Sequence, residues 1–358
     1  MERITSQSWL VSLLRRVRTV LTIALALRLL FPHPLAADVP DFPELKRPGR
    51  LVSIGTHALH IYCRGEGGPS VIIDTGLGSL SLEWYDIQGV LARYVKTCIY
   101  DRAGYGWSLP GPQPRTSSQI VDELYLLLKA ADITGPYVLV GHSFGGYNMQ
   151  LFASRYPDET AGLVLVDSSH VDQIQRFLAP PIKVRLAPAI KGKYTITQFS
   201  RPRVHPGVPA KLKGIINMLL HSPSLRQAMA SEFMNFKQSA LQVKLAGALP
   251  DIPLVVLTRG KRVWPEGYRG DMMEKLWFEL QGELASSSVY YVQFIANESG
   301  HFIHLDQPRL VIDAIKQVIY TFKYQEQTPV ELHDLKYIGI STGRTTGDVQ
   351  FCATCDKF

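Results

Sequence analysis

Tyr137-Val138-Leu139-Val140-Gly141-His142-Ser143-Phe144-Gly145-Gly146 compresses a strand, a turn and the start of a helix into one short run. Tyr137 to Val140 is apolar without a polar alternation, the pattern of a strand buried on both faces. A helical stretch follows from Phe144 to Tyr156 and stops before Pro157. Ser143 therefore sits on a sharp strand-to-helix bend. Side chains at 141 and 145 would collide with neighbouring elements there, which explains the glycines, and the bend holds the serine in a strained backbone conformation. The helix start also points backbone N–H groups at any negative charge that develops nearby. A serine in a glycine-rich turn is often nothing more than a turn. Here the strand before it, the amphipathic helix after it and a suitable histidine downstream make it a candidate nucleophile in a G-x-S-x-G setting.

The same alternation extends in both directions. Upstream, Leu51 to Ile54 and Ala58 to Cys63 read as a hairpin broken at Gly55. Val71-Ile72-Ile73 is a buried strand ending in the loop Asp74-Thr75-Gly76-Leu77-Gly78, followed by a helix over Leu82 to Tyr94. Cys98 to Tyr100 is a strand running into Asp101-Arg102-Ala103-Gly104-Tyr105-Gly106-Trp107-Ser108. The helix from Ser117 to Ala131 then carries Ile120, Leu124, Leu127 and Leu128 on one face. Downstream come strand Leu163 to Val166, strand Leu254 to Leu257, helix Asp271 to Leu284, strand Val289 to Ile295 and helix Pro308 to Phe322. Strands alternating with helices predict an α/β fold: a mostly parallel central sheet of about eight strands, flanked by helices on both faces.

Between Ser169 and Pro250 the alternation stops. Prolines at 180, 181, 188, 202, 206, 209 and 223 punctuate amphipathic stretches such as Leu225 to Leu245. A strandless insert between two sheet strands reads as a helical lid. The predicted organisation is a leader and Pro-rich linker over 1–49, a core over 50–168 and 251–325, the lid over 169–250, and an unassigned polar tail over 326–358.

With 46% hydrophobic and 19% charged residues, the composition excludes wholesale disorder and a multi-span membrane protein. The net charge of +7 is not concentrated in a long basic block, so nucleic acid is not an expected partner. Arg15, Arg16 and Arg18 precede an apolar run from Val20 to Leu27, interrupted at Arg28. That run is short for a spanning helix, which needs about 20 apolar residues. It resembles the core of an export signal, though Leu35-Ala36-Ala37 is only an approximate cleavage site. The reading favours membrane association or export through this segment, with a disordered leader on a cytoplasmic protein as the alternative. Of the four cysteines, Cys352 and Cys355 form a lone C-x-x-C in the tail, taken as incidental. Cys63 and Cys98 lie in predicted strands and are read as buried free thiols, a disulfide being open to them if those strands are neighbours.

His301, in Ser299-Gly300-His301-Phe302-Ile303-His304, follows the last predicted strand. A serine hydroxyl is a poor nucleophile until a neutral imidazole within hydrogen-bond reach takes its proton, and His301 is the expected base. His57, His60, His142 and His304 are read as structural or solvated. Asn297-Glu298-Ser299 fits a glycosylation sequon but lies too close to His301 for a glycan, and is discounted.

These strings together, D-x-G-L-G at Asp74, DRAGYGWS at Asp101, GHSFGG at Gly141, LVLVDSSH at Leu163 and SGHFIHLDQP at Ser299, resemble the α/β-hydrolase superfamily. They are similar in particular to a bacterial group of lidded serine hydrolases. The resemblance covers Arg50 to Tyr320 and implies a Ser-His-acid arrangement with no metal or organic cofactor. Many members place the acid after the strand that follows the lid, but that loop here reads Thr258-Arg259-Gly260-Lys261-Arg262-Val263-Trp264, without a carboxylate until Glu266. Asp167 occupies the alternative position used by some members and is the expected acid, with Glu266 in reserve. The resemblance also implies an oxyanion hole from the backbone N–H groups of Leu77 and Phe144. Gly76 and His170 are expected to line the substrate pocket. Asp101 and Arg102 are read as a buried structural pair.

The expected activity is hydrolysis of an ester-like bond in a small substrate with an apolar portion, since the insert is rich in Leu, Met, Phe and Pro. A carbon–carbon bond hydrolase of the same fold and a slow-turnover ligand receptor are the alternatives. Epoxide hydrolase and dehalogenase chemistry is disfavoured because it uses an aspartate where this chain has Ser143.

Overall fold

The structure is a computed structural model and describes residues 47–179, 203–327 and 344–345. The predicted leader, residues 180–202 of the insert and most of the tail, including Cys352 and Cys355, lie outside the described residues. In chain order the strands are β1 (Arg50–Ser53), β2 (Ala58–Arg64), β3 (Ser70–Asp74), β4 (Thr97–Tyr100), β5 (Tyr137–His142), β6 (Thr160–Val166), β7 (Leu254–Arg259), β8 (Tyr291–Ala296) and β9 (Arg344–Thr345). The helices are α1 (Tyr85–Leu91), α2 (Ser117–Ala130), α3 (Phe144–Arg155), α4 (Gln173–Leu178), α5 (Ala210–Leu220), α6 (Pro223–Met234), α7 (Phe236–Leu245), α8 (Tyr268–Ala285), α9 (Ile303–Asp306) and α10 (Pro308–Gln327).

All strands join one sheet in the order β1-β2-β4-β3-β5-β6-β7-β8-β9. The β1–β2 and β2–β4 pairs are antiparallel and every later pair is parallel. The eight strands expected from the sequence are present. β9, in the tail left unassigned, adds to the β8 edge as a two-residue strand, too short to leave a periodic signal.

Successive side chains on a strand point to opposite faces, and the core divides accordingly. Ile72, Leu139, Leu163 and Leu165 pack on one side with residues of α2 and α3, including Leu124, Leu128, Met149 and Phe152. Val71, Ile73, Val138, Val140, Val164 and Val166 pack on the other with Ile87 and Leu91 of α1 and Val311, Ala314, Ile315 and Val318 of α10. Because both faces are covered, the central strands carry no polar alternation. Full burial of each such side chain contributes about 2 kcal/mol.

β3 is flanked by β4, the next strand in sequence, on one side and by β5 on the other. The winding reverses there. Crevices outside the carboxyl ends of strands at such a switch point are where open α/β sheets hold ligands. The loop after β3 and the bend after β5 flank this crevice.

The insert between β6 and β7 carries α4 to α7. The stretch Leu225 to Leu245, expected to run continuously, is two helices broken at Asn235. There the Asn235 side-chain amide donates to the Ser231 carbonyl at 2.8 Å, which also accepts the Asn235 N–H at 3.0 Å. Leu212, Ile216, Leu219, Leu225 and Ala228 pack on Leu80, Leu82, Tyr105 and Trp107 of the core loops. Phe236 rests on Phe144 and Tyr147, with ring centroids 5.6 and 5.2 Å away.

Cys63 and Cys98 are a disulfide, correcting the free-thiol reading. β2 and β4 are adjacent, and their register sets these two residues directly opposite, with Cα atoms 4.0 Å apart. Sequence spacing carries no information on that register.

Candidate active site

β5 ends at His142, and the chain turns at Ser143, whose φ of 52° and ψ of −118° lie outside the regions L-residues favour. Backbone hydrogen bonds hold it there. Ser143 N–H donates to Val166 C=O at 3.2 Å, and Ser143 C=O accepts from Gly146 and Ser169, both at 3.0 Å. A Cβ at Gly141 would come within 2.7 Å of the Gly145 carbonyl oxygen and the Gly146 Cα, so the bend closes only without one. Ser143 does not spend its hydroxyl on capping α3. It is half-buried between buried neighbours, so its side chain remains accessible.

Two segments distant in sequence meet next to its neighbours: the His301 ring lies 4.8 Å from that of His142, and Asp167 follows Val166, whose carbonyl accepts the Ser143 N–H. His301, from the turn after β8, presents Nδ1 to Asp167 Oδ2 at 2.6 Å. Asp167 directly follows β6, and its φ of 42° is a left-handed conformation that Asp tolerates better than most residues. Donation of Nδ1–H to the carboxylate leaves Nε2 of the same ring as an acceptor. The His301 side chain is 33% exposed while Asp167 is fully buried, so the acid end is sealed and the basic end is open.

Asp167 accepts from three further donors: Trp277 Nε1 at 2.8 Å, Arg259 N–H at 3.2 Å and Arg259 Nη1, which lies 3.1 Å from Oδ2 and 3.5 Å from Oδ1. Burial by itself pushes this carboxyl up. The bond and charge of His301, the Arg259 charge and the Trp277 indole outweigh it and hold the group below its ordinary value. Arg259 lies between the Trp264 and Trp277 rings, 4.6 and 4.8 Å from their centroids. It is the last residue of β7, at the head of the loop where the commoner pattern has its carboxylate. Its presence in place of an acid was the one readable signal that this loop serves Asp167. Trp277 left no signal, because its role depends on how α8 lies against the sheet. Glu266, the reserve acid, is exposed.

The other expected residues fall on both sides of Ser143. A Cβ at Gly76 would lie 3.2 Å from Ser143 Cβ and 2.9 Å from His142 Nδ1, so the loop after β3 passes directly against the bend. Leu77 is half-buried, and among the described residues its N–H donates to no acceptor. Phe144 supplies the first N–H of α3. His170 is buried, with Nδ1 accepting from Asp172 N–H at 3.1 Å and Nε2 3.9 Å from Glu283. Its ring is thus engaged with its own turn and with α8.

Asp101 and Arg102 are both buried, but the expected pairing between them is corrected. Asp101 binds His60 Nδ1 at 2.9 Å and Trp107 N–H at 3.1 Å, while Arg102 binds Asp74 at 2.6 Å and Glu232 of the insert at 2.8 Å. Adjacent residues at a strand end point to opposite sides, which directs them to different partners. Among the described residues no three metal-ligating side chains converge.

His142 and His304 form a buried layer behind His301. His142 Nε2 lies 2.9 Å from the His301 carbonyl and braces that turn. Burial, then the charges of His304 and His301, hold the His142 imidazole well below its ordinary value, so it is neutral. His304 is held down likewise, by burial and then by the charges of His301 and His205, and it stacks on Trp84 at 4.4 Å. Glu83 Oε2 is 3.7 Å from His304 Nε2, and burial raises its carboxyl to about 7 against opposing hydrogen bonds from Ser79 and Leu80. Between the unfolded value of 4.5 and about 7 the folded state keeps a proton that the unfolded chain releases, so stability falls as pH rises through that window. Glu83→Gln should therefore match the wild type near pH 5 and exceed it at pH 8, by about 3 kcal/mol in denaturant unfolding. Parallel wild-type and variant curves across that range would contradict this assignment.

The sequence profile of the alpha/beta hydrolase family matches residues 71–314, more than half of the chain. The chain belongs to this alpha/beta hydrolase family. The hydrolase is 27% identical over 256 residues to YqjL of Bacillus subtilis, covering 71% of this chain and 85% of that one. It is 27% identical to C23C11.06c of Schizosaccharomyces pombe over 66% of this chain, yet spans only 43% of that relative's length. A thermophilic esterase from Thermogutta terrifontis superimposes with a TM-score of 0.52 at 20% identity, covering 77% of the hydrolase and 99% of that chain. That likeness is one of fold. Among the described residues no helix is long and apolar enough to cross a membrane.

Proposed function

We propose that the hydrolase cleaves an ester-like bond of a small, partly apolar molecule through an acyl-enzyme on Ser143. The observation that carries this reading is the 2.6 Å contact between His301 Nδ1 and the buried Asp167, formed across 134 residues of sequence, with the His301 ring 4.8 Å from that of His142, the residue before a serine on a strained bend. In the proposed sequence His301 Nε2 takes the hydroxyl proton as Ser143 Oγ attacks the carbonyl. Asp167 fixes the imidazole tautomer and stabilises the imidazolium. The tetrahedral oxyanion accepts from Leu77 and Phe144 N–H. Collapse expels the alcohol, protonated by His301, and water attacks the acyl group by the same route in reverse. Support for the apolar substrate portion comes from the insert, acting as a lid: Met229 lies against Gly78 and Phe236 against Phe144.

A location outside the reducing cytoplasm or at a membrane surface belongs to the same proposal, and the Cys63–Cys98 disulfide supports the first of these, because such bonds persist in oxidising compartments.

The test is a panel of p-nitrophenyl esters of increasing acyl length, run with wild type, Ser143→Ala and His301→Ala, beside fluorophosphonate labelling mapped by mass spectrometry. The expected result is label on Ser143 only, multiple turnover of at least one ester, and loss of that turnover by about 10⁴-fold or more in either variant. Stoichiometric label without turnover of any ester would replace the enzyme with a ligand receptor. Full turnover in Ser143→Ala would end the reading altogether.

A further inference from the structure

Arg102 occupies the space beneath the proposed oxyanion loop, and every N–H of its guanidinium is used. Nε donates to Glu232 Oε1 at 2.8 Å and Nη2 to Glu232 Oε2 at 3.0 Å, a two-pronged grip by a residue of α6 in the insert. Nη1 donates to Asp74 Oδ1 at 2.6 Å and to Thr75 C=O at 2.7 Å, and the remaining Nη2 proton goes to Gly76 C=O at 3.0 Å. Nη1 also lies 3.4 Å from Thr75 Oγ1. Arg102, Asp74 and Glu232 have fully buried side chains. Asp74 Oδ2 accepts from Asn148 of α3 at 2.7 Å, which ties the network to the helix behind Ser143.

The Gly76 carbonyl and the Leu77 N–H belong to one peptide group. In a trans peptide the two point in opposite directions, so a hydrogen bond that fixes the carbonyl fixes the line of the N–H. A charged donor on the carbonyl also polarises the amide and strengthens its N–H as a donor. The next peptide is held from the same source: Gly78 N–H donates to Tyr105 Oη at 3.2 Å, and the Tyr105 hydroxyl donates to Glu232 Oε2. Glu232 thus grips both groups that fix the peptides on either side of Leu77, and it comes from the insert, not from the core.

We propose that Glu232 and Arg102 are positioning residues for the oxyanion hole: the lid's Glu232 seats Arg102 and Tyr105, and Arg102 aims the Leu77 N–H at the developing oxyanion. This rests on the Ser143 reading given above. Its consequence is that docking of α6 acts on the chemical step. A lid that only covers the pocket would act on substrate binding.

Glu232→Gln keeps the side chain's size but sets an amide against the guanidinium donors. On p-nitrophenyl butyrate its kcat should fall by about 10- to 100-fold, short of the full loss of one oxyanion donor, with KM within about twofold. The affinity of phenylboronic acid, which forms a tetrahedral anion on the serine, should fall by the same factor as kcat/KM. A folded Glu232→Gln with wild-type kcat, or one whose loss lies in KM with boronate affinity unchanged, overturns the proposal. Should Glu232→Gln fail to fold by circular dichroism, Tyr105→Phe decides: a kcat loss of about three- to tenfold at constant KM supports it, and no loss overturns it. Ser143→Ala assayed in parallel separates the two levels. Turnover that survives there sinks the serine reading, whereas an inactive Ser143→Ala beside an unimpaired Glu232→Gln sinks only the role given to the lid.

Discussion

Asp167→Asn is expected to lower kcat by about 10⁴-fold with KM nearly unchanged, while Glu266→Gln stays within twofold of wild type. Asparagine shares aspartate's tolerance of the left-handed conformation at 167, where φ is 42°, so the substitution removes charge and leaves the backbone in place. The His301 Nδ1 would then face an amide that offers one acceptor and one donor in place of a carboxylate, so the ring loses both its tautomer control and its counter-charge. Arg259 loses its partner at the same moment and keeps only Glu274, 3.2 Å from its Nη2. Stability should fall as well. The Asp167 carboxyl is held below its unfolded value, so its ionic contribution is complete above the ordinary carboxylate range and is lost as pH falls through the folded value. The variant should therefore show less acid sensitivity in unfolding than the wild type. Equal kcat losses in Asp167→Asn and Glu266→Gln, read by steady-state kinetics on one ester, would show that the acid has been assigned wrongly.

Gly145→Ala should cost about 3 kcal/mol of stability, roughly 5 °C in melting temperature, and most of the activity. The added Cβ would sit 2.5 Å from the Asp74 carbonyl oxygen and 2.6 Å from that of Thr75. Both are backbone atoms, so no rotamer change relieves the contact. The loop must retreat, and it is the loop that carries Leu77. Gly214→Ala supplies the contrast. In the interior of α5 its Cβ would meet nothing within 4 Å, and the lower entropy cost of alanine in a helix should raise stability by about 0.5 to 1 kcal/mol. If calorimetry found the two substitutions equally tolerated, the close approach of the bend and the loop after β3 would be wrong.

The elements that sequence reasoning located best are those whose pattern is local. Val138 to Val140 and Leu163 to Val166 are uninterrupted apolar runs because sheet neighbours and helices cover both faces, and a strand buried on both faces has no other way to read. Ser143 was equally visible, since the bend needs glycine at fixed offsets and those offsets lie within a few residues. Errors came where a side chain's partner is far along the chain. Arg102 beside Asp101 reads as a pair, but a strand end sends neighbours to opposite sides, and Arg102 instead pairs with Asp74 and with Glu232, the latter 130 residues away in α6. Cys63 and Cys98 read as free thiols because only the β2–β4 register sets them opposite each other.

From the amino-acid order alone came the α/β class, the strand-to-helix bend under Ser143, the strandless insert and the candidacy of His301. Each of these is a matter of periodicity or of steric needs within a turn, and local sequence encodes both. Tertiary structure alone decided that Asp167 and not Glu266 meets the imidazole, that Arg259 and Trp277 bind that carboxylate, and that an arginine beneath Gly76 is gripped from the insert. Those outcomes depend on which strand ends become neighbours across the sheet. Strand order and register are settled by the packing of the whole core, and no short window of sequence contains them.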